Sequence, residues 1–459
     1  MSTLGPSPLI ANDRHLSVAQ ARQAILAPLR PVAVTEMLPL AEALGRVLAK
    51  DLVSPMNVPP HDNSAMDGFA FDGVALEADA GADLMLSVAG TAYAGQAFTG
   101  AVAAGQAVRI MTGAVMPPGL DTVVPQELVR TEGEGAALRV TVPARAVQRG
   151  ENRRRAGEDL AQGKPALRAG RVLRPSDLGL AASLGFATLT VRRRLRVALI
   201  STGDELRNPG QPLPEGCIYD SNRASLAGAL RRLGVEVVDQ GLVPDQPAAL
   251  EAAFTQAAAT CDAVVTSGGV SVGEADYTRE LLARLGEVAF WKVAMRPGRP
   301  FAFGPLRRVA ATADEHGSAS GGKGPAVPAL GMGQDQPAPA WLFALPGNPV
   351  AALVTFYAFV REALQVLAGA PAEPPMALRV RSAEAIRKRP GRTEFQRAIV
   401  QRESEGPLAG EWTARITGSQ GAGILRSLSE ANALLVLGHE QGSVTVGEPV
   451  EVWMFEGLV

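Results

Sequence analysis

The sequence predicts a multidomain α/β protein built around a central doubly wound parallel sheet. Three observations support this fold class: the chain has 459 residues, its middle part alternates apolar strands with helices, and β-rich segments lie on both sides of that part. A chain of this length exceeds what one hydrophobic core supports, so several domains are expected. Strands that alternate with helices form parallel sheets that carry helices on both faces.

The N-terminal region is predicted to be helical over residues 16–50, because apolar residues recur there at three- and four-residue spacing. Short segments punctuated by Gly and Pro follow, which predicts a β-rich insert. Loop, strand and helix patterns then return. We therefore predict an elongated discontinuous α/β domain of residues 14–52 and 150–193, interrupted by a β-rich inserted domain of residues 53–149.

The central α/β domain is predicted over residues 194–370. Its clearest strands read RLRVALIST, VEVVDQGLV, CDAVVTSGG and WLFAL, and helical segments separate them. The stretch 310–340 consists largely of Ala, Gly, Pro, Ser and Gln. It buries too little to offset its ordering entropy, so we predict a mobile insert there.

The C-terminal region returns to short strands. ALRVRSAEAI, EFQRAIVQRE, NALLVLG and EPVEVWMF are the clearest of them. Closely spaced short strands of this kind predict a small β-barrel domain of residues 371–459.

The composition excludes several classes of function. A net charge of −2 provides no basic field, so nucleic acid is not expected as a partner. Cys217 and Cys261 are the only cysteines and the four histidines are scattered, which argues against a zinc or iron–sulfur centre. A bound metal would have oxygen ligands, which favours Mg²⁺. The sequence has no signal-peptide pattern and no uncharged apolar run of about 18 residues, so we expect a cytoplasmic protein without a membrane association.

Polar and Gly-rich loops follow the strands of the predicted central sheet. They read STGDEL, VPDQP, TSGGVSVGEAD and LPGNP. Ligands of open α/β sheets bind beyond the carboxyl ends of the strands, so these loops predict one ligand-binding edge. Free N–H groups at helix N-termini bind phosphate and other oxyanions. Glu205 and Asp276 beside such an anion indicate a bridging Mg²⁺.

Each loop also has a purely structural interpretation. Asp276 is suited to cap the helix that follows it, Asn348–Pro349 is a typical helix start, and Gly268 permits a tight turn. The convergence of four such loops on one edge favours a binding site.

A basic segment, WKVAMRPGRPFAFG, follows the third loop. Lys292, Arg296 and Arg299 fall within eight residues there. A charge run is most often a solvated surface, but Trp291 and Phe301 flank this one and anchor it. We therefore predict an oxyanion pocket beside the Gly-rich edge.

Eight motifs resemble the molybdopterin molybdenumtransferase (MoeA-like) family, to which the gephyrin E domain is related. In chain order they are NSAMDGFA, RIMTGA, RRRAGEDL, ISTGDEL, YDSN, TSGGVSVGEADY, MRPGRPFAFG and LPGNPVAAL. The resemblance implies a molybdopterin-binding fold for the central domain, in an elongated four-domain homodimer. It implies Mg²⁺-dependent cleavage of adenylylated molybdopterin with molybdate as substrate, giving molybdenum cofactor and AMP. Proteins of the same pathway are implied as further partners.

The resemblance also assigns site residues. Asp67, Glu205 and Asp276 match catalytic acids, with Glu205 and Asp276 as metal ligands, and Asp67 is presented across the dimer to the partner's sheet edge. The alternative for Asp67 is an ordinary β-turn with Gly68. The substrate-binding positions are Thr112, Arg154, Arg155, Ser221, Asp245, Gly268, Gly269, Ser271, Lys292, Arg296, Arg299, Pro346, Pro349 and Arg392.

Three departures and three alternatives accompany the resemblance, and one departure is that the 310–340 insert is longer than the usual link between FAFG and LPGNP. Arg296 and Arg299 stand where many relatives have lysines, and Ala422 stands where many have serine. The alternatives are a molybdopterin adenylyltransferase, a non-catalytic scaffold of the same fold, and a tungsten enzyme. NSAMDG and the flanking β-rich domains favour the molybdenumtransferase over the adenylyltransferase. The acids Asp67, Glu205 and Asp276 favour catalysis over a scaffold.

Overall fold

The computed structural model describes residues 15–77, 81–268, 275–308 and 338–458, with side chains of the helix at 275 described from residue 280 onward. The chain divides into two compact units. Unit 1 consists of Met1–Glu36, Gly45–Val47 and Val191–Val459, and unit 2 of Met37–Leu44 and Leu48–Thr190. The finer division into four domains stays a prediction. Apart from residues 338–340, the predicted mobile insert lies outside the described residues.

The core of unit 1 is a seven-stranded sheet. In spatial order its strands are His15–Leu16, Ala289–Val293, Pro300–Leu306, Ala340–Leu345, Ala263–Ser267, Arg196–Thr202 and Glu236–Val243. The last four are parallel to one another, whereas Pro300–Leu306 is antiparallel to both of its neighbours. The predicted central sheet is confirmed, and the antiparallel strand Pro300–Leu306 makes it a mixed sheet.

Helices cover both faces of this sheet, as predicted. Along Arg196–Thr202, Val197 and Leu199 belong to one hydrophobic core, while Ala198 and Ile200 belong to the other. A strand that is buried on both faces is apolar at nearly every position, which explains the run RVALI. The helices of unit 1 are Val18–Leu26, Ser221–Arg232, Pro247–Thr260, Ala275–Leu285, Pro349–Thr355, Arg361–Leu367 and Leu425–Glu430.

The helical run that contains Pro349–Thr355 continues through a π-helical turn, Phe356–Val360, into Arg361–Leu367. In the described part of the chain it is the one helix long and apolar enough to cross a membrane by length and composition. Most of it is buried within unit 1. Its apolar composition is therefore explained by its position in the core of unit 1.

The prediction of helix over residues 16–50 is only partly right. Helix Val18–Leu26 forms and begins with a capping box between Ser17 and Gln20. The second predicted helix, EMLPLAEALGRVLA, is wrong, because that segment forms strand Thr35–Pro39 and a short 3₁₀ turn. Pro39 lies in this segment, and a proline inside a helix lacks a hydrogen-bond donor and clashes with the preceding turn. A prediction from apolar spacing alone does not take this effect into account.

The C-terminal part of unit 1 is a closed five-stranded barrel, as predicted. Its strands are Ala377–Ser382, Thr393–Arg402, Trp412–Ile416, Ala433–Leu437 and Pro449–Met454. Pairing between Thr393–Arg402 and Ala433–Leu437 closes the barrel. A further strand, Met295–Arg296, pairs in parallel with Thr393 and Glu394. The barrel therefore holds the segment that carries the predicted oxyanion-binding arginines.

Unit 2 contains the predicted β-rich region. Its six-stranded sheet has the order Thr122–Pro125, Gly68–Phe71, Gln106–Ile110, Leu84–Ala92, Arg139–Val142 and Arg130–Glu132. Two smaller pairs are Asn63–Ser64 with Arg153–Arg154 and Leu52–Val53 with Pro165–Leu167. Helix Pro175–Ser183 also belongs to this unit. Strand Gly68–Phe71 is fully buried and directly follows Asp67.

Gly68 is required by close packing at the start of that strand. A Cβ atom on Gly68 would lie 2.0 Å from the Val124 carbonyl oxygen, which real structures do not tolerate. We expect Gly68→Ala to lower the free energy of unfolding by about 3 kcal/mol, because the neighbouring backbone must move. Chemical denaturation measures this change. The matched control is Gly179→Ala, where a helical glycine has open space around its Cβ position and alanine should stabilise. Equal stability of Gly68→Ala and wild type would contradict the packing argument.

Candidate functional site

Gly-rich turns bring the carboxyl ends of three parallel strands close together in unit 1. Gly268 follows Ala263–Ser267 with a φ of 97°, and a Cβ atom there would lie 2.6 Å from the Thr202 carbonyl oxygen. Gly347, in the turn after Ala340–Leu345, has its Cβ position 4.0 Å from Gly268 Cα. Glycine is needed at position 268 for both its backbone conformation and this close approach. The resulting edge, formed by residues 202–205, 267–268 and 346–348, is called the rim below.

An asparagine that the sequence analysis missed ties this rim together. Asn222 Nδ2 donates hydrogen bonds to Ser267 Oγ and to the Gly347 carbonyl, both at 2.6 Å. It lies beside the predicted Ser221 in the first turn of Ser221–Arg232. Asn222 Oδ1 and Ser201 Oγ are buried and have no hydrogen-bond partner within the described residues. Buried polar atoms are nearly always paired, so these two mark a place for a ligand or water donor.

Three carboxylates gather at the same end of the sheet. Burial raises the pKa of Asp245, and the negative charges of Asp204 and Glu205 raise it further. The Asp245 N–H donates to Asp204 Oδ1 at 3.4 Å. Across the part of the chain that the structure describes, no three acidic, histidine or cysteine side chains already form a metal-binding group. The acids are therefore near one another without being arranged as a complete ligand set.

Three predicted site residues lie beyond this description. Gly269 and Ser271 are outside the described residues, and Asp276 lies in helix Ala275–Leu285 at a position whose side chain is not described. Their placement at the site stays a prediction.

A cavity of about 340 Å³ brings predicted residues from two parts of unit 1 together. Arg296 and Arg299 line it, together with Pro346 from the turn after Ala340–Leu345. Gln420 and Ala422 of the barrel form the opposite wall. This space, bounded by the segments 296–300, 346–351 and 420–422, is called the oxyanion cavity below. Two predicted residues, Lys292 and Pro349, do not line it.

A second basic cavity, of about 590 Å³, adjoins the first through Arg296. The predicted Arg392 lines it and donates from Nε to Glu394 Oε1 at 2.9 Å. Three further basic residues, Arg387, Lys388 and Arg389, line it and were missed. The run IRKRPGR in the sequence was the signal that could have found them.

Lys388 is the buried member of this basic group. Its Nζ donates to the Gln441 carbonyl at 2.7 Å, and burial lowers its pKa. The arginines of the second cavity stay charged at all ordinary pH values, so its positive potential does not depend on Lys388.

In unit 2, Asp67 is held by Thr112. Asp67 Oδ1 accepts from the Thr112 N–H at 2.6 Å and from Thr112 Oγ1 at 2.7 Å. These hydrogen bonds lower the pKa of Asp67, and Arg109 contributes in the same direction. Two predicted residues thus form one unit, with an exposed, charged carboxylate whose direction is fixed.

The predicted Arg154 and Arg155 lie beside the segment that leads to Asp67. Arg154 pairs in register with Asn63 in a two-stranded sheet, and both arginines are exposed. The Arg155 N–H donates to Glu158 Oε2 at 2.7 Å. The Arg155 backbone is thereby fixed while its guanidinium stays accessible to an anionic ligand.

The crowding of acids at the rim predicts a pH-dependent stability. Because the pKa of Asp245 is raised in the folded state, the wild type loses stability as the pH rises through the range from its ordinary to its raised pKa. Asp245→Asn removes this loss. With a chelator present, we expect the melting temperature of the variant to exceed that of the wild type by more at about pH 7.5 than at about pH 4.5. A difference that does not change with pH would contradict the assignment.

Comparisons with known proteins agree over most of the chain. The model of the MoeA N-terminal region (domain I and II) matches residues 16–185, that of a probable molybdopterin binding domain matches 198–366, and that of the MoeA C-terminal region (domain IV) matches 379–455.

Individual relatives match at similar length. The chain is 40% identical to a molybdopterin molybdenumtransferase of Haemophilus influenzae, over 97% of this chain and all of that protein. It is 35% identical to one from Nostoc sp., over 91% of this chain and 88% of that protein. Its fold is similar to the crystal structure of a molybdopterin biosynthesis moeA protein from Pyrococcus horikoshii OT3. The TM-score is 0.74 at 25% identity, with 96% of this chain and 100% of that chain covered.

Proposed function

The chain belongs to the MoeA family of molybdopterin molybdenumtransferases, and from this premise we propose that it inserts molybdenum into molybdopterin by cleaving an adenylylated molybdopterin in the presence of molybdate. It is a transferase of molybdenum cofactor biosynthesis. The bond that breaks joins the adenylate phosphorus to the bridging oxygen. An oxygen nucleophile adds to that phosphorus, AMP leaves with the added oxygen, and the molybdopterin phosphate keeps the electron pair.

The oxyanion cavity is the observation that carries this proposal. Molybdate is a tetrahedral dianion, and Arg296 and Arg299 present two guanidinium groups to one space at the rim. Guanidinium groups bind oxyanions in bidentate fashion and stay charged. The cavity adjoins the turn of residues 346–348, so an anion in it lies next to a ligand bound along the rim. The second basic cavity extends the positive surface toward solvent.

The residues present suit Mg²⁺ by their chemistry. Asp204, Glu205 and Asp245 offer only carboxylate oxygens, the donors that Mg²⁺ prefers, and their mutual repulsion is relieved by a divalent cation. We propose Glu205 as a ligand together with Asp276, whose side chain is not described. When bound, Mg²⁺ neutralises the charge of the pyrophosphate group. The protein's own groups then bind the two anionic substrates and exclude competing orientations.

Asp67 is proposed to complete the site of the other subunit in a homodimer. What supports this is an exposed, charged carboxylate on unit 2 whose direction is fixed by hydrogen bonds from Thr112. Its proposed role is to orient the attacking oxygen and accept its proton. Arg154 and Arg155 are proposed to bind the phosphate groups of the same substrate.

Mixing two impaired variants tests the shared site, provided that molybdate is kept far below the KM expected of Arg296→Gln. At that concentration, chains that carry Asp67→Asn and chains that carry Arg296→Gln are each expected to show little activity as homodimers. If the site is shared, half of the dimers formed by random mixing contain one intact site, so about a quarter of wild-type activity should return. No recovery, with mixed dimers confirmed by mass spectrometry, would contradict sharing.

The alternatives carry less support. An adenylyltransferase is not favoured, because the N-terminal and C-terminal MoeA regions match as well as the central domain. A non-catalytic scaffold has no need of the Asp67–Thr112 pair. Tungstate is nearly isosteric with molybdate and is compared with it in the assay below. The cytoplasmic location and the pathway partners stay predictions.

The release of AMP tests the proposed function. Purified protein, adenylylated molybdopterin, molybdate and Mg²⁺ are expected to give one AMP for each molybdenum incorporated. Omission of Mg²⁺ or of the oxyanion should each reduce the rate, and a parallel series with tungstate reports oxyanion preference. The absence of AMP under all of these conditions would rule out the proposed reaction.

A further inference from the structure

Arg397 is a buried arginine of the barrel strand Thr393–Arg402. It is 1% exposed and belongs to the largest fully buried side chains of the described chain. Nε donates to Ser427 Oγ at 3.1 Å, and Nη2 donates to the carbonyls of Ser419 at 3.3 Å and Gly421 at 3.0 Å. Within the described residues it forms no salt bridge with a carboxylate. Its positive charge is therefore held by hydroxyl and carbonyl dipoles alone.

These hydrogen bonds fix the turn of residues 417–422 on both sides of Gln420. The Arg397 N–H donates to Gln420 Oε1 at 2.8 Å, and the Thr417 N–H donates to the Arg397 carbonyl at 2.8 Å. At the far end of the turn, the Ala422 carbonyl accepts from the Val350 N–H at 3.1 Å. Gln420 and Ala422 line the oxyanion cavity, whereas Arg397 lies behind them. The position of this wall of the cavity thus depends on Arg397.

The charge of Arg397 also reaches the cavity. Burial, with a smaller contribution from the charge of Arg296, lowers the pKa of Arg397 to about 10, so the guanidinium is protonated at neutral pH. Arg296 lines the cavity, so the cation behind the wall and the cation in the wall repel each other. Removal of a charge from water without a counterion is costly, and an apolar side chain would fill the same volume without that cost. A dianion bound beside Arg296 would supply part of the missing counter-charge.

We propose that Arg397 is a positioning residue for the oxyanion cavity. It holds the carbonyls of Ser419 and Gly421 toward the barrel interior, away from the bound anion. Its buried charge adds to the field that Arg296 and Arg299 present to a tetrahedral dianion. This inference rests on the proposed function in one respect, because it assumes that the dianion bound in the cavity is molybdate.

Two substitutions separate charge from geometry. Arg397→Lys keeps the charge but cannot bond Ser427 from Nε and the two carbonyls from Nη2 at the same time, whereas Arg397→Gln loses the charge. We expect the KM for molybdate to rise in the order wild type, Lys, Gln, with Gln at least about tenfold above wild type. The KM for adenylylated molybdopterin should stay within about twofold, because that substrate binds along the rim.

Arg361→Gln is the matched control. Arg361 is also a buried arginine, 7% exposed, and donates to the Glu373 carbonyl from helix Arg361–Leu367. Its loss should lower thermal stability and leave the molybdate KM unchanged. A rise of both KM values in Arg397→Gln, or a molybdate KM equal to wild type, overturns the proposal. If Arg397→Gln does not fold, a wild-type molybdate KM in Arg397→Lys overturns it.

Calorimetric titration of the full chain with molybdate and with tungstate separates this inference from the proposed function. A weaker oxyanion affinity of the Arg397 variants, with wild-type affinity in Arg361→Gln, supports the positioning role even if no AMP is released. Equal affinities in all four proteins overturn it. A wild type that binds neither oxyanion contradicts both proposals.

Discussion

Asp67→Asn is expected to lower the rate of AMP release by about a thousandfold, the range observed when a group that orients and deprotonates a nucleophile is removed. The substitution preserves the size of the side chain. The asparagine retains an Oδ1 atom that accepts from the Thr112 N–H and from Thr112 Oγ1, as in the wild type. The turn should therefore fold as before. What is lost is the negative charge, which the hydrogen bonds from Thr112 stabilise by lowering the pKa.

Rapid-quench measurement of AMP under single-turnover conditions, with wild type beside the variant, tests this. Asp72→Asn is the matched control, because Asp72 is another exposed aspartate of unit 2 whose Oδ1 accepts from a backbone N–H, that of Val74. It should retain wild-type activity. A fully active Asp67→Asn would remove Asp67 from the site and return it to the role of an ordinary turn residue.

The lowered pKa of Asp67 also fixes the sign of its pH dependence. A carboxylate with a lowered folded-state pKa stays ionised until the pH falls below its ordinary range. The rate should therefore not depend on Asp67 ionisation at neutral pH, and any loss due to Asp67 should appear only in acid. Thr112→Val removes one of the two hydrogen bonds and should shift this acidic limb toward higher pH.

The rim was predictable from sequence because it follows from a topological rule. Once the alternation of strands and helices identifies parallel strands, their carboxyl ends must meet at one edge, and the loops STGDEL, TSGG and LPGN are placed there without further information. The close approach of Gly347 to Gly268, where a Cβ atom on Gly347 would lie 4.0 Å from Gly268 Cα, is a direct result. The motifs NSAMDGFA and RIMTGA also identified Asp67 and Thr112 as candidate site residues.

The barrel side of the oxyanion cavity was not predictable in the same way. Gln420 and Arg397 belong to a turn and a strand whose own sequences show only a short β pattern, and their proximity to Arg296 depends on the pairing of Met295–Arg296 with the barrel. That pairing joins segments far apart in sequence and has no local signal. Asn222 was missed for a related reason, because its contacts are with two other loops of the rim.

The error over residues 16–50 has a different origin. The segment EMLPLAEALGRVLA has the apolar spacing of a helix, and this spacing predicts one. Pro39 ends strand Thr35–Pro39 instead, and only a short 3₁₀ turn follows. Backbone chemistry at one residue outweighed the periodicity of fourteen.

Arg296→Gln is expected to raise the KM for molybdate by about 100-fold, which corresponds to roughly 3 kcal/mol, the upper range for hydrogen bonds to a charged group. Arg296 lines both basic cavities, and its backbone is fixed by parallel pairing with Glu394. A neutral amide at this position can donate a hydrogen bond but cannot balance a dianion. The effect should therefore fall mainly on molybdate KM, with a smaller change in kcat.

Arg296→Lys distinguishes charge from shape at the same position. Lysine keeps the charge as a point source and loses the planar fork, so a molybdate KM within about threefold of wild type is expected if charge dominates. Arg307→Gln, at an exposed arginine just after strand Pro300–Leu306, should leave both KM values unchanged. If Arg296→Gln and Arg307→Gln have the same molybdate KM, the dianion is not bound between the Arg296–Pro300 turn and the barrel. In that case the oxyanion cavity loses its proposed role, because Arg296 and Arg299 line it together with the Pro346–Asn348 turn.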